Sequence, residues 1–346
     1  MSERKNPSVY MLAISLAAAA LWNTAQPLWS QVSLNDASWG VYGWFSVISA
    51  WGMPLLIAGT GCRYLTDTPT LSSGFVLKKR LPRALTGCVV WWLVSALTLM
   101  KYTRPDELDA DTFFEALATV LETPYYVKFL LLVVALFAFY PLLKRIADQQ
   151  RLAGYAAAAF AVMSVVVPIL RYIPYLRYVY LFAVQINWNF FTEFGLYLFL
   201  GVWLSRKTFA WHHRVLIYCA GILATVAMYS CTVWTYSAET GMDAAFISEA
   251  SPFTVLQVTA ITVLIVSLSG RSKRPRAGWI WNAAAQCAYA FVPLCAIMLH
   301  VFGKLLPAGS LSPALSVPIT AGAALLSALA FGALIRRLPV FSYFSI

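Results

Sequence analysis

Charged residues are scarce in this chain of 346 residues: 14 Asp and Glu with 25 Lys and Arg make up only 11% of it. A soluble domain carries about 25%, so there are too few solvating side chains for an ordinary cytosolic enzyme or a disordered segment. Histidine is rarer still, with three, and the six cysteines show no C-x-x-C spacing. That excludes a zinc framework and a disulfide scaffold, and leaves the thiols as small buried hydrophobes. His212 and His213 sit together and His300 stands alone, so no metal cluster can be assembled from them. There is no G-x-x-x-x-G-K-S/T loop and no dinucleotide fingerprint, which excludes a transporter subunit with its own ATP motor.

What the chain has instead is long apolar runs: 60% of its residues are hydrophobic and the mean hydropathy is +0.71. Runs of about 17 or more apolar residues lie near 8–26, 41–62, 83–100, 125–143, 154–170, 186–204, 214–234, 252–269, 280–302 and 314–335. Backbone amides must pair internally in hydrocarbon, so each run reads as a helix. The expectation is an all-α, polytopic transmembrane helical bundle of about ten helices, forming a single membrane domain over residues 1–346. The surplus of eleven positive charges belongs to topology and not to nucleic acid. With the N-terminus inside, 19 of the 25 Lys and Arg fall on inner connections, which predicts both termini cytoplasmic. Acidic residues gather on the other side, in the 101–124 loop and near Glu239, Asp243 and Glu249.

Two segments read two ways. Arg4 and Lys5 ahead of an apolar, Ala-rich stretch fit a retained first helix and also a secretory signal peptide. Residues 171–187, with Arg171, Pro174, Arg177 and several Tyr, read as an interfacial segment feeding the sixth span, because aromatic rings favour the headgroup level. The Trp residues near span ends, such as Trp91, Trp92, Trp279 and Trp281, read as interface belts.

The most informative stretch runs from Met53 to Gly61 and then from Phe75 to Arg83. Its first half ends a helix in small residues that permit close backbone approach. Its second half presents Lys78, Lys79, Arg80 and Arg83 on an inner connection. If Pro82 occupies the first turn of the third helix, Arg80 and Arg83 stand near a helix N-terminus, a setting that suits phosphate. Basic residues at an inner helix end are also expected from topology alone, where they meet lipid headgroups.

These residues resemble the bacterial acyltransferase family 3, integral membrane enzymes that include surface-polysaccharide O-acetyltransferases. In the pattern V-P-x-F-F-x-x-S-G, Pro54 matches the Pro and Thr60-Gly61 the Ser-Gly; in F-x-x-K-R-x-x-R, the match is carried by Phe75, Lys78, Lys79, Arg80, Pro82 and Arg83. Tyr125 to Phe129 and Tyr140 to Leu143 are similar to the family's fourth helix, and Phe194 to Leu204, with Gly201, to a later one. The resemblance covers about residues 40–205. It implies transfer of an acyl group, often acetyl, from cytoplasmic acyl-CoA to a hydroxyl of an outward-facing glycan or lipid-linked glycan, with no metal. It also implies CoA phosphates at Lys78, Lys79, Arg80 and Arg83.

The chain departs from the family where the acceptor base is expected. The first helix lacks the usual Arg and His, and Leu12 and Asn23 occupy the corresponding register. Asn accepts no proton at physiological pH. Tyr126 and Cys295 stand where two further family histidines occur, and His300 lies five residues beyond the second. Replacement groups are sought among intramembrane polar residues, which are costly to bury and therefore functional candidates. Gln185, Asn189 and Glu193 form one stripe at i, i+4 and i+8. With His300, Asn23 and Gln26 at comparable depth, they outline an outward-facing pocket in which Glu193, His300 and Asn23 carry catalysis and Gln185, Asn189 and Gln26 bind substrate. Plainer readings stand beside these: Glu193 paired with Arg171 or Arg177, and His300 as an interfacial histidine. Two other function classes fit the composition, a secondary transporter of an amphiphilic or anionic solute and a catalytically inactive membrane partner.

Overall fold

The computed structural model describes residues 7–67, 71–103, 110–122, 124–170, 175, 189–236, 246–269, 293–295, 297–299, 301–302 and 311–337. Among these residues the secondary structure is helical throughout, with no strand. The helices are α1 (Pro7–Gln31), α2 (Ala37–Ser49) and α3 (Gly52–Gly61), the last running on through a π turn at Cys62–Asp67. Next comes α4, continuous through Ser73–Phe75, a π turn at Val76–Arg80, and Leu81–Thr103. Then follow α5 (Ala110–Glu122), α6 (Pro124–Ala138), α7 (Tyr140–Asp148) and α8 (Gln150–Ala161, extended by Val162–Val166 and Val167–Ile169). The remainder are α9 (Asn189–Ser205), α10 (Trp211–Thr235), α11 (Pro252–Ser269) and α12 (Pro313–Arg337).

Seven described helices are long and apolar enough to cross a membrane, and eight if the bent pair α6–α7 forms one span. Their outer surface is apolar as well: Leu216, Ile222 and Leu223 on α10 and Leu326 on α12 are each more than 60% exposed. Water would not tolerate such a belt on a monomer, so hydrocarbon is its solvent and the chain is a multi-pass membrane protein. The hydroxyls of buried Ser46, Thr60 and Thr232 donate to carbonyls one turn back, which pairs them within their own helices.

At the centre lies α3, all ten residues of which are buried. It packs between α1 and α9, while α11 touches α1, α3, α9 and α10. Small residues allow the approach. A Cβ on Gly61 would fall 2.7 Å from the Leu198 carbonyl oxygen, and one on Gly52 would fall 2.5 Å from the Ala19 nitrogen. Around this seam Met11, Leu12, Leu16, Leu55, Leu56, Tyr197 and Phe199 are at most 2% exposed.

Prolines shape three of the helices differently. Pro54 has no N–H, and the α2–α3 pair breaks just upstream at Ala50–Trp51. Pro141 has no N–H and sits in the first turn of α7, and α6 and α7 meet at Phe139 with a 77° bend. The fourth span expected at 125–143 therefore ends at Ala138, and the basic, amphipathic α7 turns sharply off its axis. Pro82 is absorbed instead. The Leu81 N–H reaches back to the Val76 carbonyl, an i→i−5 bond that widens the turn just before the ring.

That π turn corrects one expectation. The helix bearing Arg80 and Arg83 begins at Ser73, capped by the Ser72 hydroxyl, which accepts from the Phe75 N–H at 3.2 Å. The arginines are therefore inside the helix, not in its first turn. The 101–124 loop also contains structure: α5 packs on α4 and α6, and the Trp92 indole donates to the Leu117 carbonyl at 3.0 Å. Because α4 runs from Ser73 to Thr103, Trp91 falls mid-helix and is buried in the core, not in an interface belt. Cys62, Cys88 and Cys295 are buried, while Cys219 is exposed on α10.

Candidate functional site

The cations of the connections α3–α4, α7–α8 and α9–α10 meet at one end of the bundle. Asp67, closing the π turn of α3, accepts hydrogen bonds from the side chain and backbone N–H of Ser8 at the start of α1, with Arg63 and Arg206 supplying opposing charge. Lys144 on α7 donates to the Leu65 carbonyl at 2.7 Å and pairs with Asp148 at 2.9 Å. Arg206, just past α9, donates to the Ala147 carbonyl. These bonds satisfy the helix-end carbonyls of α3 and α7, which have no partner within their own helices.

On this platform the guanidinium of half-buried Arg80 lies over the Tyr64 ring, 5.3 Å from its centroid. Tyr64 is itself held edge-on by Phe137 at 5.1 Å. A cation over an aromatic face gains about 0.5–1 kcal/mol at exposed sites and more when desolvated. The stacking leaves the guanidinium's N–H edge available for an anion. Lys79 sits over Phe75 at 5.5 Å, and Lys78 is exposed. Among the described residues no carboxylate pairs with Lys78, Lys79 or Arg80. Arg83, half-buried, follows on the same helix. Several cations thus lie near one helix end, one of them stacked on an aromatic ring, an arrangement whose chemistry suits an anion.

The opposite end carries different chemistry. Lys128 at the start of α6 pairs with Glu249, ahead of α11, at 2.5 Å, and the Tyr197 hydroxyl donates to the Glu249 carbonyl. An aromatic cluster fills the space between α1, α2 and α10. Tyr229 stacks on Trp44 at 4.5 Å and on Trp29 at 6.4 Å, and Trp39 lies edge-on to Trp29 at 5.2 Å.

Of the residues expected to act in an outward-facing pocket, Asn23 and Gln26 are half-buried on the α1 segment that enters this cluster. The Asn23 side-chain oxygen is buried and has no hydrogen-bond partner among the described residues. Asn189 and Glu193 lie on the first two turns of α9, but their side chains are outside the described residues, as are Gln185 and His300 altogether. Both α1 and α9 pack against α3 and α11. The four cations of 78–83 are brought together, and they sit at the end of the bundle remote from Asn23 and Gln26.

Sequence reasoning missed the supports of the cation cluster, Tyr64, Lys144 and Arg206, because each acts across a helix pair that spacing does not reveal. It also missed Gln257. Its amide donates to the Val47 carbonyl at 3.1 Å and to the Thr225 hydroxyl at 2.9 Å, joining α11 to α2 and α10 inside the membrane. The available signal was a lone Gln in an apolar run. Among the described residues no three His, Cys, Asp or Glu gather as metal ligands would. No family model, no curated protein and no solved structure matches this chain.

Proposed function

We propose that the protein is a membrane O-acyltransferase of about ten spans with both termini cytoplasmic. It would take acyl groups, acetyl above all, from cytoplasmic acyl-CoA to a hydroxyl of an outward-facing glycan or lipid-linked glycan. One observation carries the reading: Arg80, stacked on Tyr64 and without a carboxylate partner among the described residues, heads a cluster of cations suited to CoA phosphates. The resemblance of residues 40–205 to the acyltransferase family 3 supports the same assignment. Lys78, Lys79, Arg80 and Arg83 would hold the donor's phosphates. Glu193 and His300 are the proposed acid–base groups toward the acceptor, carboxyl and imidazole being side chains that serve general acid–base catalysis. Asn23 is the third proposed catalytic residue, acting through neutral hydrogen bonds since Asn accepts no proton, and Gln26, Gln185 and Asn189 would orient the acceptor.

A second reading has its own observation. The interrupted α2–α3 helix and the 77° bend between α6 and α7 are features of secondary transporters, whose broken helices expose backbone groups to a solute. Proteoliposomes loaded with acceptor glycan and supplied with radiolabelled acetyl-CoA separate the two. Label transferred to glycan supports the enzyme. Uptake of an anionic solute without transfer supports the transporter, and neither result supports a catalytically inactive partner.

A further inference from the structure

Where α9, α10 and α11 end at the basic face, a pocket of about 230 Å³ opens among Leu204, Lys207, Phe209, Arg214, Val266 and Ser267. It shares no residue with the Lys78–Arg83 cluster. The volume is several times the roughly 30 Å³ that one water occupies in liquid, and its chemistry is one-sided. Among the described residues two cations together with Thr208 and Ser267 line it, no acidic residue does, and the rest of the wall is apolar. Lys207 is held in place, its ammonium 4.1 Å from the Trp203 ring centroid. Trp203 in turn rests against Gly154 of α8, where a Cβ would come within 2.7 Å of the indole nitrogen. The Nε of Arg214 is buried without a hydrogen-bond acceptor among the described residues. Arg214 reaches the pocket from the start of α10, whose N-cap, Ala210, makes no side-chain hydrogen bond to the helix. Leu264 and Leu268, on the same turns of α11 as the apolar wall, are exposed to lipid.

We propose that this pocket binds a phosphate ester, with Lys207 and Arg214 on the phosphate and the apolar wall on the adjoining carbon chain. The source that fits its place is the headgroup of an anionic phospholipid in the leaflet at the basic end. Basic pockets between helix ends recognise such headgroups, and the lipid-facing flank of α11 gives the acyl chain a path out. A free phosphate ester in solution offers the same anion without the chain.

The test uses the purified full chain in phosphatidylcholine nanodiscs and native mass spectrometry. With phosphatidylglycerol added, the wild type should retain it, and Lys207→Gln with Arg214→Gln should weaken retention about 30-fold, roughly fivefold per cation. Inorganic phosphate and CoA are tested in parallel by thermal shift. Stabilisation by these that the double variant loses, with no retention of phosphatidylglycerol, places the phosphate on a soluble molecule and supports the site. A photoactivatable phosphatidylglycerol on the wild type guards against misfolding of the variants and should label peptides spanning 204–214 and 263–267. If the folded double variant binds both kinds of probe like the wild type, or the photoprobe labels only other segments while soluble phosphate has no effect, the proposal is overturned. None of these readings depends on acyl transfer, so the acyltransferase assignment stands or falls separately.

Discussion

Gly201 presses its bare Cα against Ala58: a Cβ there would stand 2.6 Å from the Ala58 carbonyl oxygen and 2.9 Å from its Cα. Gly61 meets Leu198 in the same way one turn along, so α3 and α9 touch backbone to backbone, antiparallel and in register. Lipid tails offer no hydrophobic gain for helix association, and such close contact supplies the attraction instead. Gly201→Ala should therefore destabilise the protein by roughly 1–3 kcal/mol, the usual cost of overpacking. Gly322→Ala on α12, where a Cβ meets nothing within 4 Å, should be neutral or stabilising by up to about 1 kcal/mol. Unfolding in detergent–denaturant mixtures compares the two, and equal effects would contradict the seam.

Arg80→Gln should raise the KM for acyl-CoA about tenfold or more with kcat nearly unchanged, since a charge-assisted hydrogen bond contributes roughly 1.5–3 kcal/mol of binding. Tyr64→Leu removes the stacking on Arg80, together with the edge-on contact to Phe137, and should raise KM by about two- to fivefold. Steady-state kinetics on reconstituted protein measures both, and a drop in kcat alone would argue against donor binding at this site.

Gln257 ties α11 to α2 and α10 through two hydrogen bonds. Interhelical bonds in membranes average about 0.6 kcal/mol each, so Gln257→Leu should cost about 1 kcal/mol in the same unfolding assay. A paired Thr225→Val substitution should be less than additive, because it removes one of the same bonds.

The Lys128–Glu249 pair has both side chains 24% exposed. A double-mutant cycle with Lys128→Met and Glu249→Gln should give a coupling of at most about 1 kcal/mol. The coupling should shrink between low and high salt, and a salt-independent value would mean that the two residues act through packing.

At the start of α2 the Asp36 carboxylate accepts from the Ser38 hydroxyl at 2.5 Å and from its N–H at 2.7 Å. These bonds, the hydroxyl's foremost, hold the Asp36 carboxyl below its ordinary range. A depressed pKa stabilises the fold at neutral pH, and that contribution fades as pH falls through the folded-state value. Ser38→Ala should raise the Asp36 pKa toward the ordinary value, read by NMR titration of the carboxyl carbon. An unchanged titration would show that the backbone N–H alone sets it.

Much of the architecture was legible because the bilayer imposes it. Apolar runs near 8–26, 154–170, 214–234, 252–269 and 314–335 each correspond to a described helix. The gathering of Lys78, Lys79, Arg80 and Arg83 followed from their spacing. Their supports did not, because Tyr64 and Arg80 belong to different helices and meet only in the packed structure. The expected outer pocket was assembled by depth alone, and depth says nothing about which helices are neighbours.

The amino-acid sequence by itself determined a helical membrane protein, most of its spans and a basic cluster, since hydrocarbon forces long apolar runs into helices whatever their neighbours. The tertiary structure decided what each proline does. Pro27 and Pro318 lie within continuous helices, Pro82 is taken up by a π turn, Pro54 follows a break and Pro141 accompanies a 77° bend. Each removes one backbone N–H, but in the first turn of α3 and α7 that N–H has no partner within the helix to lose, whereas inside α1 and α12 it leaves a carbonyl one turn back without its bond. Where a helix begins or runs on past a proline is settled by the packed structure, because one missing N–H fits either outcome.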